Sequence, residues 1–337
     1  MSKGVKVSNY FLGKKVLVAG GTGLIGRPLV EMLFQQGAEV RISSMDNKNR
    51  AHPEAEYLQY DLTDYATCLK VCDGIDVVFN LLCTKGSPAT SKTNGVDFLE
   101  PMVLYNTNLM RAARVSKVKS FMFTSSVCVY PPAEIFYEND PLISPPSPND
   151  PWAGLAKRVG EKQALANAIQ YGWNTIAIVR PSNVYGPYDN FNQFNAMVVP
   201  SLIKRVAEAE DKIVVWGDGT AERDFIYCDD VARGMLLAVE KQLSPDYPIN
   251  LGVGYGISIK ELIETIVRVS GKKLEIIFDT SKPSGDRKRI LDTTRAKGVG
   301  FLPQISLEEG LRKTYYWYLE NKELAENRYD VFNRPKN

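Results

Sequence analysis

Residues 14–44 read KKVLVAGGTGLIGRPLVEMLFQQGAEVRISS, and their periodicity sets the fold. A β-branched run (KVLVA) is followed by glycines, then by apolar residues at helical spacing (LIGRPLVEMLFQQG), then by a second β-rich run (AEVRIS). That is strand, helix, strand, with Gly37 placed to stop the helix. Gly20, Gly23 and Gly26 recur every three residues at the first strand's end, and Gly21 also completes a G-x-G-x-x-G pattern. Glycines there permit a tight turn, let backbone N–H groups approach a pyrophosphate, and let the helix pack closely with its positive end toward the phosphates. The context predicts a dinucleotide site. No G-x-x-x-x-G-K-[ST] loop accompanies it, which argues against nucleoside triphosphate hydrolysis.

Outward from this unit, apolar runs at 75–82 (IDVVFNLL), 120–126 (SFMFTSS) and 174–180 (NTIAIVR) continue the alternation. They predict an α/β, doubly wound parallel sheet. Residues 131–151 are rich in Pro, Asn and Asp and predict a long surface loop entering the helix 152–170. After Arg180, the runs 198–210, 212–219, 257–271, 273–278 and 305–323 suit a smaller mixed α/β lobe. The expected division is a dinucleotide-binding domain over 1–180 with 221–255 returning to it, a second lobe from 181–220 and 256–325, and a polar, loosely ordered tail at 326–337.

The chain's 337 residues are 44% hydrophobic and 24% charged, the range of an ordinary globular protein. Lys plus Arg total 41 against 39 for Asp plus Glu, which disfavours nucleic-acid binding by bulk charge. Five cysteines form no C-x-x-C pair, and the lone His52 lies in the polar stretch 46–54. A structural zinc or a Ser/His/Asp triad is therefore not expected. No apolar run reaches the length of a membrane span, and no leader pattern is seen, so a cytoplasmic protein is expected.

Cofactor choice turns on the end of the second strand, where an acidic residue would bond the adenosine ribose. Ser43 and Ser44 stand there, with Arg41, Lys48 and Arg50 nearby, which favours NADP(H). Asp46, two positions on, keeps NAD(H) open. Asp61 and Leu62 are placed to cover the adenine.

The glycine turn, SSVCVY at 125–130 and AGLAKRVGE at 153–161 together resemble the extended short-chain dehydrogenase/reductase family over almost the whole chain. The segments 124–131, 180–205, 214–232 and 282–292 resemble its GDP-fucose synthase branch. The resemblance implies a nucleotide-sugar substrate, a homodimer, and cofactor contacts at Gly20, Thr22, Gly23, Leu24, Ile25, Gly26, Leu81 and Pro181. It carries the family's catalytic Ser onto Ser126 and its Lys onto Lys157, where the Lys would bind the nicotinamide ribose. The Tyr of Y-x-x-x-K falls on Ala153, which can neither give nor take a proton. An engineered substitution and a natural divergence both explain this; intact binding motifs around it favour the first. Tyr130 and Tyr185 are the nearest motif tyrosines, and packing is the plainer reading of both.

After Ser126 come Val127 and Cys128 rather than the acidic residues of dehydratases. Cys128 fits the branch's base for epimerisation, with a buried thiol as the alternative. Its histidine partner falls on Met197, which does not titrate. The resemblance then implies C4 reduction with little 3,5-epimerisation. It also implies diphosphate contact by Arg223, base stacking on Trp216, and sugar or phosphate contacts by Asn183, Lys204 and Lys282. An NAD-dependent epimerase and a non-catalytic binding module remain alternatives.

Overall fold

The computed structural model describes residues 9–192, 194–282, 285–326 and 328–333. Expectations for the first eight residues, for Pro283 and Ser284 of the 282–292 motif, and for 334–337 of the tail lie outside the described residues.

In chain order the strands are β1 (Lys15–Ala19), β2 (Glu39–Ser43), β3 (Glu56–Leu58), β4 (Val77–Asn80), β5 (Ser120–Thr124), β6 (Ile135–Phe136), β7 (Ile176–Pro181), β8 (Asn183–Tyr185), β9 (Lys212–Trp216), β10 (Glu222–Arg223), β11 (Phe225–Tyr227), β12 (Ile249–Leu251), β13 (Ile257–Ser258), β14 (Glu275–Asp279) and β15 (Lys288–Leu291). The α-helices are α1 (Gly26–Gln35), α2 (Tyr65–Cys72), α3 (Pro88–Thr93), α4 (Gly95–Val115), α5 (Pro151–Tyr171), α6 (Val198–Glu208), α7 (Cys228–Glu240), α8 (Ile259–Ser270), α9 (Thr294–Gly298), α10 (Leu307–Glu320) and α11 (Lys322–Glu326).

Seven strands make one parallel sheet in the order β12-β7-β5-β4-β1-β2-β3, the expected doubly wound Rossmann arrangement. Alternate residues of β1 feed opposite cores. Val16 and Val18 pack with α1 and α7, whereas Leu17 and Ala19 pack with α2, α4 and α5. Burial on both faces explains why these strands read as continuous apolar runs rather than alternating ones. Helix α1 ends as the sequence implies, with Gly37 at φ +76° just beyond its cap. A third core joins α6, α8 and α10 to β8, β9 and β11.

The order reverses between β1 and β4. In open parallel sheets that switch point, at the carboxyl ends of the strands, is where ligands bind. Here it brings together the glycine turn after β1 and residues 81–85 after β4. Among the described residues, no helix is long and apolar enough to cross a membrane, and no group of three His, Cys, Asp or Glu could hold a metal ion.

Candidate active site

The glycine turn is held from both sides: Gly20 N–H donates to Ser43 O at 2.8 Å, and Leu81 N–H donates to Ala19 O at 2.9 Å. Gly20 sits at φ +87°, and a Cβ on Gly26 would lie 2.4 Å from the Gly20 carbonyl. The turn and the start of α1 are therefore in backbone contact, an approach only glycine allows. No side chain caps α1 at Ile25; Arg27 N–H donates to Gly23 O at 3.0 Å, Leu29 N–H to Ile25 O at 3.2 Å, and Pro28 has no N–H, so an anion here would meet the positive end of the helix and the backbone of the glycine turn. These features fit a dinucleotide pyrophosphate. The side chains of Leu24 and Ile25 turn instead toward the third core.

At the end of β2, Ser43 is fully buried and works through its carbonyl. Ser44 Oγ lies 2.8 Å from Thr22 Oγ1, and that threonine donates to Asp46 Oδ2 at 2.7 Å. Asp46 is buried against the glycine turn. Arg41 is not at this corner: it pairs with Glu56 at 2.8 Å and donates to the carbonyls of Val71 and Asp73, which corrects its inclusion among the basic residues near the ribose. Asp61 accepts from Thr63, and Leu62 is buried in the core shared with Cys68, leaving only its backbone for any adenine contact.

On the far side of the switch point, Ser126 begins a short 3-10 turn (Val127–Val129), and its Oγ accepts from Cys128 N–H at 3.3 Å. Among the described residues, that hydroxyl donates to no protein partner. Lys157, one turn after Ala153 on α5, is 1% exposed and donates to Leu82 O at 3.0 Å, the residue before Cys83. Burial lowers its pKa, opposed by the nearby Cys83, Cys128 and Glu161. Helix α5 is pressed onto the Ser126 turn, since a Cβ at Gly154 would fall 2.4 Å from Cys128 O. Ala153 is half-buried beside this contact and packs on the α4–α5 core.

Cys128 is 6% exposed, and burial, aided by Asp150, pushes its thiol up to about 12. Neither motif tyrosine is free to replace the missing phenol. Tyr130 OH donates to Asn250 Oδ1 at 2.7 Å and accepts from Arg180, and Tyr185 OH donates to Leu307 O. Met197 stands at the N-cap of α6. Pro181 is buried at the end of β7.

The residues assigned to the nucleotide end divide. Arg223 on β10 donates to Asp286 O at 2.7 Å and comes within 3.2 Å of a Cβ built on Gly285; burial, then Arg289, lowers its pKa. Trp216 is exposed at the end of β9, with Lys282 Nζ 6.0 Å from its ring. Asn183 is engaged by its Nδ2 with Asp224 O at 2.9 Å. Lys204 pairs with Glu326 at 2.8 Å, so α6 presents it to α11 rather than to an open anion site.

Sequence reasoning missed the polar network beneath the site. Arg180 forms a two-pronged pair with Glu161 (2.8 and 2.7 Å), Ser125 Oγ donates to the same carboxylate, and Arg180 also donates to Tyr130 OH at 2.9 Å. The signal was present: Glu161 follows Lys157 by four residues, on the same helix face.

Residues 16–252 match the model of the NAD dependent epimerase/dehydratase family. The chain belongs to that family. It is 33% identical to the putative GDP-L-fucose synthase 2 of Arabidopsis thaliana over 94% of this chain and 96% of the relative. It is also 33% identical to the GDP-L-fucose synthase of Escherichia coli K12, over 92% and 98%. Among solved structures, a UDP-glucose 4-epimerase from Thermotoga maritima superposes with a TM-score of 0.79 at 27% identity, covering 91% of this chain and 99% of that one. Family members of this kind modify nucleotide sugars, and the epimerase/dehydratase scaffold agrees with the sheet order and glycine turn described above.

Proposed function

We propose that the protein is a nucleotide-sugar C4 reductase that takes NADPH and a 4-keto-6-deoxy sugar, or a related sugar, on GDP, and that it does little 3,5-epimerisation. The observation that carries this reading is the asymmetry of its titratable groups. Ser126 Oγ accepts only from Cys128 N–H, and Lys157 is held by Leu82 O. Neither member of an epimerising pair is competent, because the Cys128 thiol is pushed up to about 12 and Met197 does not titrate.

When bound, the nicotinamide supplies the hydride. Ser126 orients the sugar C4 oxygen with its hydroxyl, and the buried Lys157 ammonium, held by Leu82 O, binds the nicotinamide ribose hydroxyls. Ala153 offers no proton, which leaves water as the donor and forfeits a general-acid contribution of about 10²–10⁴-fold. Arg223 meets the substrate diphosphate, where a guanidinium fork suits oxyanions, and Trp216 stacks on the base. A homodimer in the cytoplasm completes the proposal.

The buried Asp46 beside Thr22 favours a second reading, an NAD-dependent epimerase that oxidises and re-reduces C4. Supplying a GDP-4-keto-6-deoxy sugar with NADPH and following absorbance at 340 nm separates the two. The reductase consumes NADPH stoichiometrically with product, and Ala153→Tyr raises its rate by about 10²-fold or more. Sugar interconversion without NADPH loss would establish the epimerase. Tight binding of both ligands with no turnover even in Ala153→Tyr would mark a binding module.

A further inference from the structure

Three arginines from distant parts of the chain converge beside the glycine turn. Arg27 lies in the first turn of α1, Arg50 ends the short 3-10 turn Lys48–Arg50 after β2, and Arg328 follows α11. Arg50 is 1% exposed. Its Nη1 donates to Leu324 O, but its buried Nε and Nη2 have no hydrogen-bond acceptor, and the nearest carboxylate oxygen, on Asp46, is 3.7 Å from Nε. Arg27 donates Nη2 to Tyr188 OH at 3.3 Å and lies 4.9 Å over that ring, while its buried Nη1 also lacks an acceptor. Burial first, and then the like charges of Arg328 and Arg27, lower the Arg50 pKa against the pull of Asp46.

Leaving charged N–H groups buried without acceptors is unfavourable, and Arg50 has only the Asp46 carboxylate near it against the like charges of Arg27 and Arg328. The missing partner is an oxyanion, for which guanidinium forks are suited. The C-terminal segment is docked onto this same corner rather than free. Tyr329 N–H donates to Asp46 Oδ1 at 2.7 Å, Asp330 accepts from Asn195 Nδ2 at 3.1 Å, and Phe332 packs on Phe98 with ring centroids 5.0 Å apart.

We propose that Leu324, Arg328 and Tyr329, from the end of the chain, complete with Arg27 and Arg50 an arginine cage that takes a phosphoryl group of the bound dinucleotide. This rests on the dinucleotide reading of the glycine turn. Leu324 and Tyr329 hold Arg50 and Asp46 in place through backbone groups, and Arg328 adds charge. The phosphoryl group has two possible sources, the adenosine 2′-phosphate and the pyrophosphate.

The test titrates the full chain and its Arg328→Gln variant with NADPH and with NADH, following nicotinamide fluorescence. The cage predicts that the variant weakens NADPH binding about tenfold or more, the scale of a charge-assisted contact. NADH binding unchanged within about twofold would assign the cage to the 2′-phosphate, and an equal loss for both would assign it to the pyrophosphate. Tyr329→Pro deletes the N–H on Asp46 and should shift affinity for the same dinucleotide. The thermal midpoint of the ligand-free Arg328→Gln protein should be unchanged, which separates lost binding from lost folding. If the unaltered chain binds a dinucleotide and Arg328→Gln changes neither affinity by more than about twofold, the cage is overturned while the cofactor reading stands. If the unaltered chain binds neither, both fall together.

Discussion

Replacing Arg180 by Met should be among the most damaging single changes outside the sheet's apolar core. Arg180 is 3% exposed and Glu161 8%, and the pair is closed by two hydrogen bonds of 2.8 and 2.7 Å, with Ser125 and Tyr130 as further partners. Arg180→Met leaves the Glu161 carboxylate buried with one hydroxyl donor, and removing one partner of such a pair costs about 3–5 kcal/mol. Glu161→Met strands the guanidinium and should cost a similar amount. In the double variant no unpaired charge remains. Tyr130 keeps Asn250, and the loss should shrink to about 1–3 kcal/mol for the hydroxyl contacts left unmade. The double-mutant cycle should therefore show strong coupling, with the double far less destabilised than the sum of the singles. Urea unfolding followed by tryptophan fluorescence reads all four proteins, with the midpoint and m-value taken together. An Arg180→Met loss below about 1 kcal/mol, or a double variant that costs the full sum, would refute the argument that this pair is closed off from water.

Burial leaves Cys128, like Cys68 and Cys72, pushed up to about 12, so at pH 8 only about one Cys128 in 10⁴ is thiolate. Iodoacetamide should add once, at the exposed Cys83, in the folded protein, and early labelling of Cys128 in intact-mass spectra would contradict this. Glu138 accepts from Asn250 N–H at 2.9 Å, and burial raises its pKa above the usual carboxylate range despite that bond. A raised folded pKa gives stability that is present below the unfolded value of about 4.3 and is lost as pH rises through the folded one. Glu138→Gln keeps an acceptor for Asn250 and cannot ionise, so its thermal midpoint should drop less than the parent's between pH 5 and pH 8. Parallel pH slopes would show that Glu138 does not titrate in this way.

The Rossmann sheet was legible because its signals are local. KVLVA, the glycine turn and Gly37 each carry their own conformational reason, and burial on both faces of the sheet turns its strands into unbroken apolar runs. The long helix α4 left a weaker trace, since Pro101 interrupts it and Asn106 and Asn108 blur its apolar face. Ser126, Lys157 and Ala153 were reached through the family resemblance carried by SSVCVY and AGLAKRVGE. What spacing could not supply was which charges meet: Lys204 turns to Glu326, Arg41 to Glu56, and Arg50 lies beneath Leu324, 274 positions away. Pairings at that separation are fixed by how α11 and the C-terminal segment dock, and no periodic pattern encodes docking.

The missing phenol and the silent thiol bear on the same choice. Epimerising carbons beside a ketone needs a base that is ionised near neutral pH and an acid on the opposite face. Cys128 is kept protonated by the packing that presses α5 onto the Ser126 turn, where Gly154 leaves no room between helix and carbonyl. Reduction at C4 asks less of the protein: an oriented oxygen, an ammonium beneath the ribose, and one proton. In the proposed reading Ser126 and Lys157 supply the first two, and the third is what Ala153→Tyr would return, which makes that single substitution the sharpest division between a reductase lacking one group and a scaffold that only binds.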